Sequence, residues 1–245
     1  MMKLYQFCGS HYCEKARWAL DYKGIAYQPV NLLPGFHVKV VKRLAPNRGL
    51  PVLMDGETVV QDSSAIITYL DAKFPTPTLT PSDAAAARDA LDWERQLDEH
   101  IGVTLRLWFY YHALPNRAIA LKFLCQGAPW LQSALFRIIF PTVREKMLRF
   151  MNINADTARQ SQEQLLAALH RLEGALCGRR FLVGNEFSRA DLTACALLSP
   201  WFLVTDQAAP SRLPPALIDC RNRLRDRHIY RWVHNVYASY RDPQR

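Results

Sequence analysis

The sequence predicts an α/β domain at the N-terminus followed by an all-helical domain. Three observations support this fold class: a strand–helix–strand pattern opens the chain, three prolines fall within residues 75–81, and apolar residues after Ala84 follow helical spacing. With 245 residues and 49% hydrophobic content, the chain can bury a full core. We place the first domain at residues 1–76 and the second at residues 84–245.

The first elements follow from short apolar patterns. Residues 3–7 predict a strand, the spacing of Ala16 and Leu20 predicts a helix that ends at Gly24, and residues 27–30 predict a second strand. Because the first strand begins almost at the first residue, we expect no signal peptide.

A β-hairpin and a capped helix follow within residues 50–71. Short apolar runs flank Asp55-Gly56, a pair typical of two-residue hairpin turns. Pro51 opens the first strand and offers no N–H to a sheet, which leaves the neighbouring backbone available to a ligand. Asp62 and the two serines after it precede helical spacing, and the exposed N–H groups at such a helix start can bind a carboxylate.

This combination resembles the thioredoxin-like half of the cytosolic glutathione transferases. The resemblance implies glutathione as a co-substrate, bound beside a cis peptide between Leu50 and Pro51, with the Leu50 backbone paired to the cysteinyl part of the tripeptide. It assigns the γ-glutamyl ammonium and carboxylate to Asp62 and Ser63. Three further residues either meet the glycine carboxylate or are solvated surface: His37, Lys39 and Lys42.

A second family mark lies where the first strand meets the first helix, at Ser10-His11-Tyr12-Cys13. A helix N-terminus stabilises a thiolate, which favours sulfur chemistry at this junction. By resemblance to the serine-type transferases, Ser10 is the catalytic residue and donates a hydrogen bond to the glutathione sulfur. Tyrosine-type members carry a tyrosine late in the first strand, where this chain has Gln6.

The cysteines leave one question open. Cys13 is a buried small side chain, a thiol beside the ligand or half of a disulfide with Cys8, and we favour burial. The other cysteines are isolated from one another and from histidine pairs, so neither zinc nor a disulfide framework is predicted. Scattered cysteines are typical of a reducing cytoplasm, where we place the protein. His11 stands where related motifs have proline, and it either tunes the acidity of the thiol or faces solvent.

A third family mark lies at residues 181–192, which resemble the capping motif of the transferases. Ser188 is placed to cap a helix, Asp191 to accept a hydrogen bond from the Ser188 N–H, and Phe187 to pack against Leu192. This capping box accounts for Ser188 and Asp191 without chemistry. We therefore assign them a structural role.

Helical spacing predicts helices at residues 84–112, 118–125, 130–150, 157–177, 191–203 and 215–240. The segment 106–156 is longer than the usual connection in the family, and Pro115, Pro129 and Pro141 are expected to break its path. In the family this region lines the pocket for the electrophile. The candidates for that pocket are aromatic side chains of the first helix and the histidine beside Ser10: Trp108, Tyr110, Tyr111 and His11.

The formal net charge of +9 raises the question of nucleic-acid or membrane binding. No apolar run reaches the roughly 20 residues of a membrane span. A positive surface also attracts an anionic tripeptide, so we expect neither a nucleic-acid nor a membrane partner. The densest basic runs are short and typical of solvated surface: Arg179, Arg180, Arg221, Arg223, Arg225 and Arg227.

Together these marks predict a serine-type glutathione transferase that activates the glutathione thiol for attack on a small, largely apolar electrophile. The resemblance also implies a homodimer. Two other classes of function stay open. One is a thiol oxidoreductase that uses Cys8 or Cys13, and the other is a non-catalytic module with the glutathione-binding fold. Replacement of Ser10 would suppress the transferase, whereas replacement of the cysteines would suppress the oxidoreductase.

Overall fold

The computed structural model of the chain describes residues 1–203 and 213–241. Strands and helices alternate in its first part. These elements are β1 (Met2–Gln6), α1 (His11–Tyr22), β2 (Tyr27–Asn31), α2 (His37–Val41), β3 (Val52–Asp55), β4 (Thr58–Gln61) and α3 (Ser63–Lys73).

The strands of the described chain form one mixed sheet in the order β2-β1-β3-β4. Strand β1 is parallel to β2 and antiparallel to β3, and β3 and β4 form the predicted hairpin. Gly56 in its turn has φ of 60°, a conformation that glycine adopts at no steric cost. The peptide between Leu50 and Pro51 is cis, as expected. The sheet order and its covering helices confirm the thioredoxin-like fold class.

The proline-rich segment after α3 is held by side chains rather than by regular structure. Lys23 Nζ donates to the carbonyls of Phe74 and Pro77 at 2.8 and 2.5 Å and pairs with the Asp71 carboxylate at 2.7 Å. Asp71 in turn accepts hydrogen bonds from two backbone N–H groups farther along the segment. The segment therefore follows a fixed path from the sheet to the helices.

From Ala84 onward the described residues form helices and no strand. The helices are α4 (Ala84–Leu97), α5 (Val103–Ala113), α6 (Arg117–Leu124), α7 (Trp130–Phe150), α8 (Ala155–Ala175), α9 (Arg189–Phe202), α10 (Pro215–Leu224) and α11 (His228–Tyr240). The all-helical second part is therefore confirmed.

Several details differ from the sequence predictions. A π-helical turn, Asp98–Gly102, interrupts the single helix expected over residues 84–112 and joins α4 to α5. The helix expected over residues 215–240 is two helices, since the chain turns between α10 and α11. Arg221, expected on solvated surface, is only 1% exposed.

Proline does not break the path of α7, contrary to expectation. Pro141 lies inside that helix, and its missing N–H frees the carbonyl of Arg137. That carbonyl accepts a hydrogen bond from the Arg117 guanidinium at 2.8 Å. A side chain of α6 therefore replaces the backbone bond that proline removes, and the helix continues.

Helix α7 is buried on one face only. Phe136 and Phe140 are buried, whereas Trp130, Leu131 and Ile138 are 80%, 65% and 75% exposed. Its inner face therefore packs against the protein while its outer face carries exposed apolar side chains. Within the described ranges, no helix combines the length and apolar character needed to cross a bilayer.

One apolar core runs from the sheet into the helices. Its buried members include Leu4 and Trp18 in the first part of the chain and Leu97, Trp108 and Leu192 in the second. Helix α9 is central to this core, because it packs against α1, α4 and α11. The two halves of the molecule are therefore held together by continuous burial of apolar surface.

A buried ionic network crosses the same boundary. Lys15 Nζ on α1 lies 2.8 Å from Glu94 Oε1 and 2.8 Å from Asp98 Oδ2, and it donates to Ser64 Oγ at 2.8 Å. Arg189 on α9 pairs with the other Glu94 oxygen at 2.6 Å. Each of these buried cations therefore has a carboxylate partner.

Candidate functional site

A cavity of about 280 Å³ lies between the α/β part and the helices, at the start of α1. One wall consists of loop residues and the first turn of α1, among them Ser10, His11, Pro34, His37, Arg48 and Leu50. The opposite wall is largely apolar and includes Leu105, Phe109, Tyr110, Phe123, Met147 and Met151. The cavity therefore brings polar groups of the first part of the chain to face an apolar surface of the second.

Ser10 caps helix α1 and lines the cavity. Its Oγ accepts a hydrogen bond from the Cys13 N–H at 3.4 Å, and its hydroxyl is close enough to the Cys13 thiol to act against the rise in the pKa of that thiol. Because Ser10 lines the cavity, the hydroxyl can also turn to donate to an atom there. The N–H groups of the first turn and the helix dipole favour negative charge at the same place.

The loop before Pro51 is held in place by Gln61, the last residue of β4. Gln61 Nε2 donates to the carbonyls of Asn47 and Gly49 at 3.0 and 2.8 Å, and Gln61 Oε1 accepts from the Asn47 N–H at 3.2 Å. The backbone of Leu50 makes no hydrogen bond within the described chain. Because Leu50 also lines the cavity, an extended peptide can pair with it as an added strand.

Asp62 caps α3 in a left-handed conformation, with φ of 91°. Its Oδ1 accepts from the N–H groups of Ser64 and Ala65 at 2.8 and 3.1 Å, and its own N–H donates to the Pro51 carbonyl at 3.2 Å. Asp62 is exposed and Ser63 is buried. Neither residue lines the cavity. The hydrogen bond from the Asp62 N–H connects them to Pro51, which follows the lining residue Leu50. Oδ2 of Asp62 has no partner among the described residues, so it is open to a ligand cation.

Of the three residues considered for the glycine carboxylate, only His37 reaches the cavity. Its ring packs edge-on against Phe7 with centroids 4.8 Å apart, and burial lowers its pKa. Lys39 and Lys42 are exposed and do not line the cavity. Arg48, which the sequence analysis missed, is an exposed residue that contributes to the lining.

Two of the aromatic candidates for the electrophile pocket are misplaced. Trp108 is 1% exposed and packs against Trp201 in the core, with ring centroids 5.4 Å apart. Tyr111 packs against a second apolar cluster around Leu33 and Phe136. Successive helical residues point about 100° apart, so α5 turns Tyr110 toward the cavity and these two neighbours away from it. The helical spacing predicted α5 but not which of its side chains face the cavity.

His11 on the first turn of α1 lies near Arg106 on α5. His11 is 7% exposed, and its Nε2 has no hydrogen-bond partner. Burial, with smaller contributions from the charges of Arg106 and Lys15, lowers the pKa of His11 to about 3, so its ring is neutral. The Arg106 guanidinium lies 5.7 Å from the Tyr12 ring centroid, and its buried Nε also has no partner. Both residues line the cavity.

Tyr12 is fixed between these groups. Its hydroxyl donates to the Asp98 carbonyl at 2.8 Å, and burial raises its pKa. Gly102 in the π-helical turn makes room for this contact, because a Cβ there would lie 2.3 Å from the Tyr12 oxygen. Tyr12 is therefore a protonated, positioned side chain in this site.

The cysteines are poorly placed for chemistry. Cys13 is fully buried, burial raises its pKa, and it does not line the cavity. Cys8 is half-buried in the loop before α1. Both thiols are free, which contradicts a disulfide between them. A cysteine mechanism would therefore have to rest on Cys8.

The capping box has the geometry that the sequence indicated. Asp191 accepts from the backbone N–H and hydroxyl of Ser188, each at 3.0 Å, and from the Leu182 N–H at 2.8 Å. Burial raises the pKa of Asp191 to about 6 despite these bonds. Neither Ser188 nor Asp191 lines the cavity. In the described chain, no group of three or more histidine, cysteine or acidic side chains is arranged to hold a metal ion.

The sequence analysis missed Arg106, although a signal for it was present. Arg106 is the only cation in the apolar and aromatic run 105–111. An isolated cation on an apolar helix face needs a partner or a polar cavity. That criterion would have added it to the candidates.

Two family descriptions match the chain. "Glutathione S-transferase, N-terminal domain" matches residues 4–78, and "Glutathione S-transferase, C-terminal domain" matches residues 131–239. The chain belongs to the glutathione S-transferase family.

Individual relatives agree with this membership. The chain is 30% identical to Glutathione S-transferase TCHQD of Arabidopsis thaliana over 210 residues, which cover 81% of this chain and 76% of that protein. It is 45% identical to Glutathione S-transferase Z2 of the same plant over 85 residues, 34% of this chain and 38% of that protein. The chain thus spans well under half the length of this second relative.

A solved structure shares the fold. It is the theta class glutathione S-transferase of Xanthomonas axonopodis pv. citri with glutathione bound, which superposes with a TM-score of 0.60 at 21% identity and covers 94% of this chain and 95% of that chain.

Proposed function

We propose that this protein is a serine-type glutathione transferase, which lowers the pKa of the glutathione thiol and directs the thiolate to an apolar electrophile. The observation that carries the proposal is the Ser10 hydroxyl. It lies at the N-terminus of α1 and on the wall of the cavity, where it can turn from the Cys13 thiol to donate to the glutathione sulfur. Such a donor and the helix dipole both favour the thiolate over the thiol.

The rest of the polar wall suits the tripeptide. The free Leu50 backbone would pair with the cysteinyl residue, and the open Asp62 oxygen, with Ser63 beside it, would receive the γ-glutamyl group. Arg48 and His37 line the same cavity and would receive the glycine carboxylate. The relative from Xanthomonas shares this fold and holds glutathione. Positioning of this kind removes much of the entropic cost of encounter from the reaction step.

The apolar wall suits the second substrate. Phe109, Phe123 and Met147 offer surface to an apolar body but no groups for acid–base chemistry. The sulfur would form the new carbon–sulfur bond while the electrophile accepts the electron pair or releases its leaving group.

Titration of the thiolate absorbance of bound glutathione tests the role of Ser10. In the wild type we expect the thiol pKa to fall by roughly one to two units relative to free glutathione. Ser10→Ala should lose most of that shift, whereas Ser10→Thr, which keeps a hydroxyl, should retain it. Because Ser10 also caps α1, Ser10→Ala should cost about 1 kcal/mol of stability, and its folding is checked by urea unfolding.

Other outcomes would contradict the assignment. An unshifted thiol in the wild-type complex would favour a module that only binds glutathione. A shift that survives in Ser10→Ala and disappears in His11→Ala would move the activating role to His11. Loss of activity in Cys8→Ser, with Cys13→Ser unaffected, would favour the oxidoreductase.

Calorimetry tests the place of Asp62. Because Asp62 is exposed, its contact with the glutathione ammonium should be worth about 1 kcal/mol, so Asp62→Asn should weaken glutathione binding roughly fivefold. Asparagine retains a side-chain oxygen for the α3 cap and tolerates the left-handed backbone. The variant therefore removes charge without removing the cap. Unchanged affinity would exclude Asp62 from the glutathione site.

A further inference from the structure

We propose that the electrophile carries a carboxylate on its apolar body, and that Arg106 and His11 bind this carboxylate inside the cavity. The inference rests on the proposed function, because the glutathione site fixes where the reacting sulfur lies. It adds a substrate class and two specificity-determining residues to that site.

Arg106 provides the first observation. It lines the cavity, and its buried Nε has no acceptor among the described residues. The fold supplies carboxylates to the more deeply buried cations, since Lys15 pairs with Glu94 and Asp98 and Arg189 pairs with Glu94. Arg106 has no such carboxylate in the described chain. A partly desolvated guanidinium without an anion is unfavourable, so a ligand anion would stabilise it.

His11 provides the second observation, on a different element. It is more than nine-tenths buried, it lines the same cavity, and its Nε2 has no partner. The ring centroids of His11 and Tyr12 lie 4.6 Å apart, and the Arg106 guanidinium lies over the Tyr12 ring. A neutral imidazole still donates one N–H. Two side chains, each with a buried nitrogen that has no partner, therefore line one cavity from α1 and α5.

The chemistry of the two donors favours a carboxylate. The planar guanidinium offers parallel N–H groups that match the two oxygens of a carboxylate, and the imidazole adds a further donor to one of them. The proposed function assigns the carboxylates of glutathione itself to the start of α3 and to Arg48. The remaining lining beside Arg106 includes Leu105, Phe109 and Phe123, which would contact an apolar body.

Matched glutathione derivatives test the proposal by equilibrium binding. S-(4-carboxybenzyl)glutathione and S-(4-carbamoylbenzyl)glutathione differ only in the charge at the end of the benzyl group. We expect the wild type to bind the carboxylate derivative about tenfold more tightly or better, the effect of a charged hydrogen bond. Arg106→Gln should reduce this ratio to near one, while Arg149→Gln, a neutralised exposed arginine on α7, should leave it unchanged.

His11 variants separate a hydrogen-bond donor from a packing role. His11→Gln keeps an N–H near the same position and should retain most of the preference, whereas His11→Phe keeps the ring and should lose it. Arg106→Lys keeps the charge without the planar fork and should retain part of it. Thermal unfolding confirms that each variant is folded. If Arg106→Gln fails to fold, the ratio measured on the wild type decides the question.

The outcomes distinguish this inference from the proposed function. Equal binding of both derivatives by the wild type overturns the carboxylate site and leaves the glutathione site intact. Weakening of both derivatives to the same extent by Arg106→Gln also overturns it, since Arg106 would then hold glutathione. Failure of both derivatives to bind at all removes the proposed function, and the present inference with it.

Discussion

At the level of the single residue, burial determines what His11 can do. The ring is held at the first position of α1, where desolvation, two nearby cations and the helix dipole all disfavour its protonated form. It is therefore a neutral donor in the cavity and not a cationic one. Its neighbour Ser10 remains the group that can stabilise a thiolate without a proton transfer.

This state of His11 predicts an acid dependence of stability. Its pKa is about 3 in the folded protein and near 6.5 when unfolded, so between these values the unfolded chain binds the extra proton. The contribution is thus fully present above about pH 6.5 and is lost as pH falls, by at most about 1.4 kcal/mol per pH unit. Urea unfolding of the wild type and of His11→Gln from pH 7 to about pH 4 measures how the free energy of unfolding of each protein changes with pH.

The control is His170→Gln, which changes an exposed histidine on α8. We expect its pH profile to follow the wild type, while the profile of His11→Gln becomes flatter in the acid range. Parallel profiles for the wild type and His11→Gln would show that the pKa of His11 is not lowered in the folded protein. The same result would weaken the neutral-donor role assigned to it in the cavity.

At the level of the element, two helices contain proline and continue through it. Pro141 in α7 and Pro200 in α9 each free one carbonyl, and each carbonyl accepts from a side chain. In α9 the donor is Ser199 Oγ, which lies 2.9 Å from the Ala196 carbonyl. The surroundings differ, because α9 is buried in the core whereas the donor to α7, Arg117 on α6, is exposed.

We therefore expect Ser199→Ala to lower the free energy of unfolding by about 1–3 kcal/mol, since it leaves a buried carbonyl unsatisfied. Arg117→Ala, the matched change at α7, should cost less than about 1 kcal/mol because water can replace the donor. Urea unfolding gives both values. In a Pro200→Ala background the backbone N–H returns to the Ala196 carbonyl, so Ser199→Ala should then cost little. Equal costs in the two backgrounds would contradict this account.

The same two helices show what local sequence can and cannot predict. Apolar spacing predicted α7 and α9. The sequence also predicted that Pro141 breaks the path of α7, whereas a hydrogen bond from Arg117 on α6 supplies the missing partner and the helix continues. Likewise, the aromatic run on α5 predicted a helix and a pocket wall, yet only packing decides that Tyr110 faces the cavity and Trp108 the core.

In the candidate site, features that depend on residues close in sequence could be predicted, whereas features that depend on distant residues could not. Ser10, Leu50 and Pro51 follow from contiguous motifs with a local geometry, and the structure places Ser10 and Leu50 on the cavity. Arg106 and Arg48 reach it only through the arrangement of separate elements. The apolar run 105–111 marks Arg106 as an isolated cation, but whether it has a carboxylate partner depends on residues distant in sequence.

At the level of the whole molecule, the ionic network around Glu94 couples the two halves of the chain. Lys15 on α1 and Arg189 on α9 contact opposite oxygens of this carboxylate, and Asp98 completes the contacts of Lys15. All lie within or beside the continuous apolar core. Burial raises the pKa of Asp98, and the Lys15 charge opposes that rise. Removal of Lys15 would leave buried negative charge without its cation.

Lys15→Met should therefore lower the free energy of unfolding by about 3–5 kcal/mol, the usual cost of breaking one side of a buried ion pair. Arg159→Met, which breaks an exposed pair with Asp156 on α8, is the control and should cost less than about 1 kcal/mol. The double variant Lys15→Met/Asp98→Asn should recover part of the loss, because it removes one of the uncompensated charges. Urea unfolding should show one transition throughout, since a single core spans both halves. If Lys15→Met costs no more than Arg159→Met, the network does not couple the halves; if two transitions appear, the halves unfold independently.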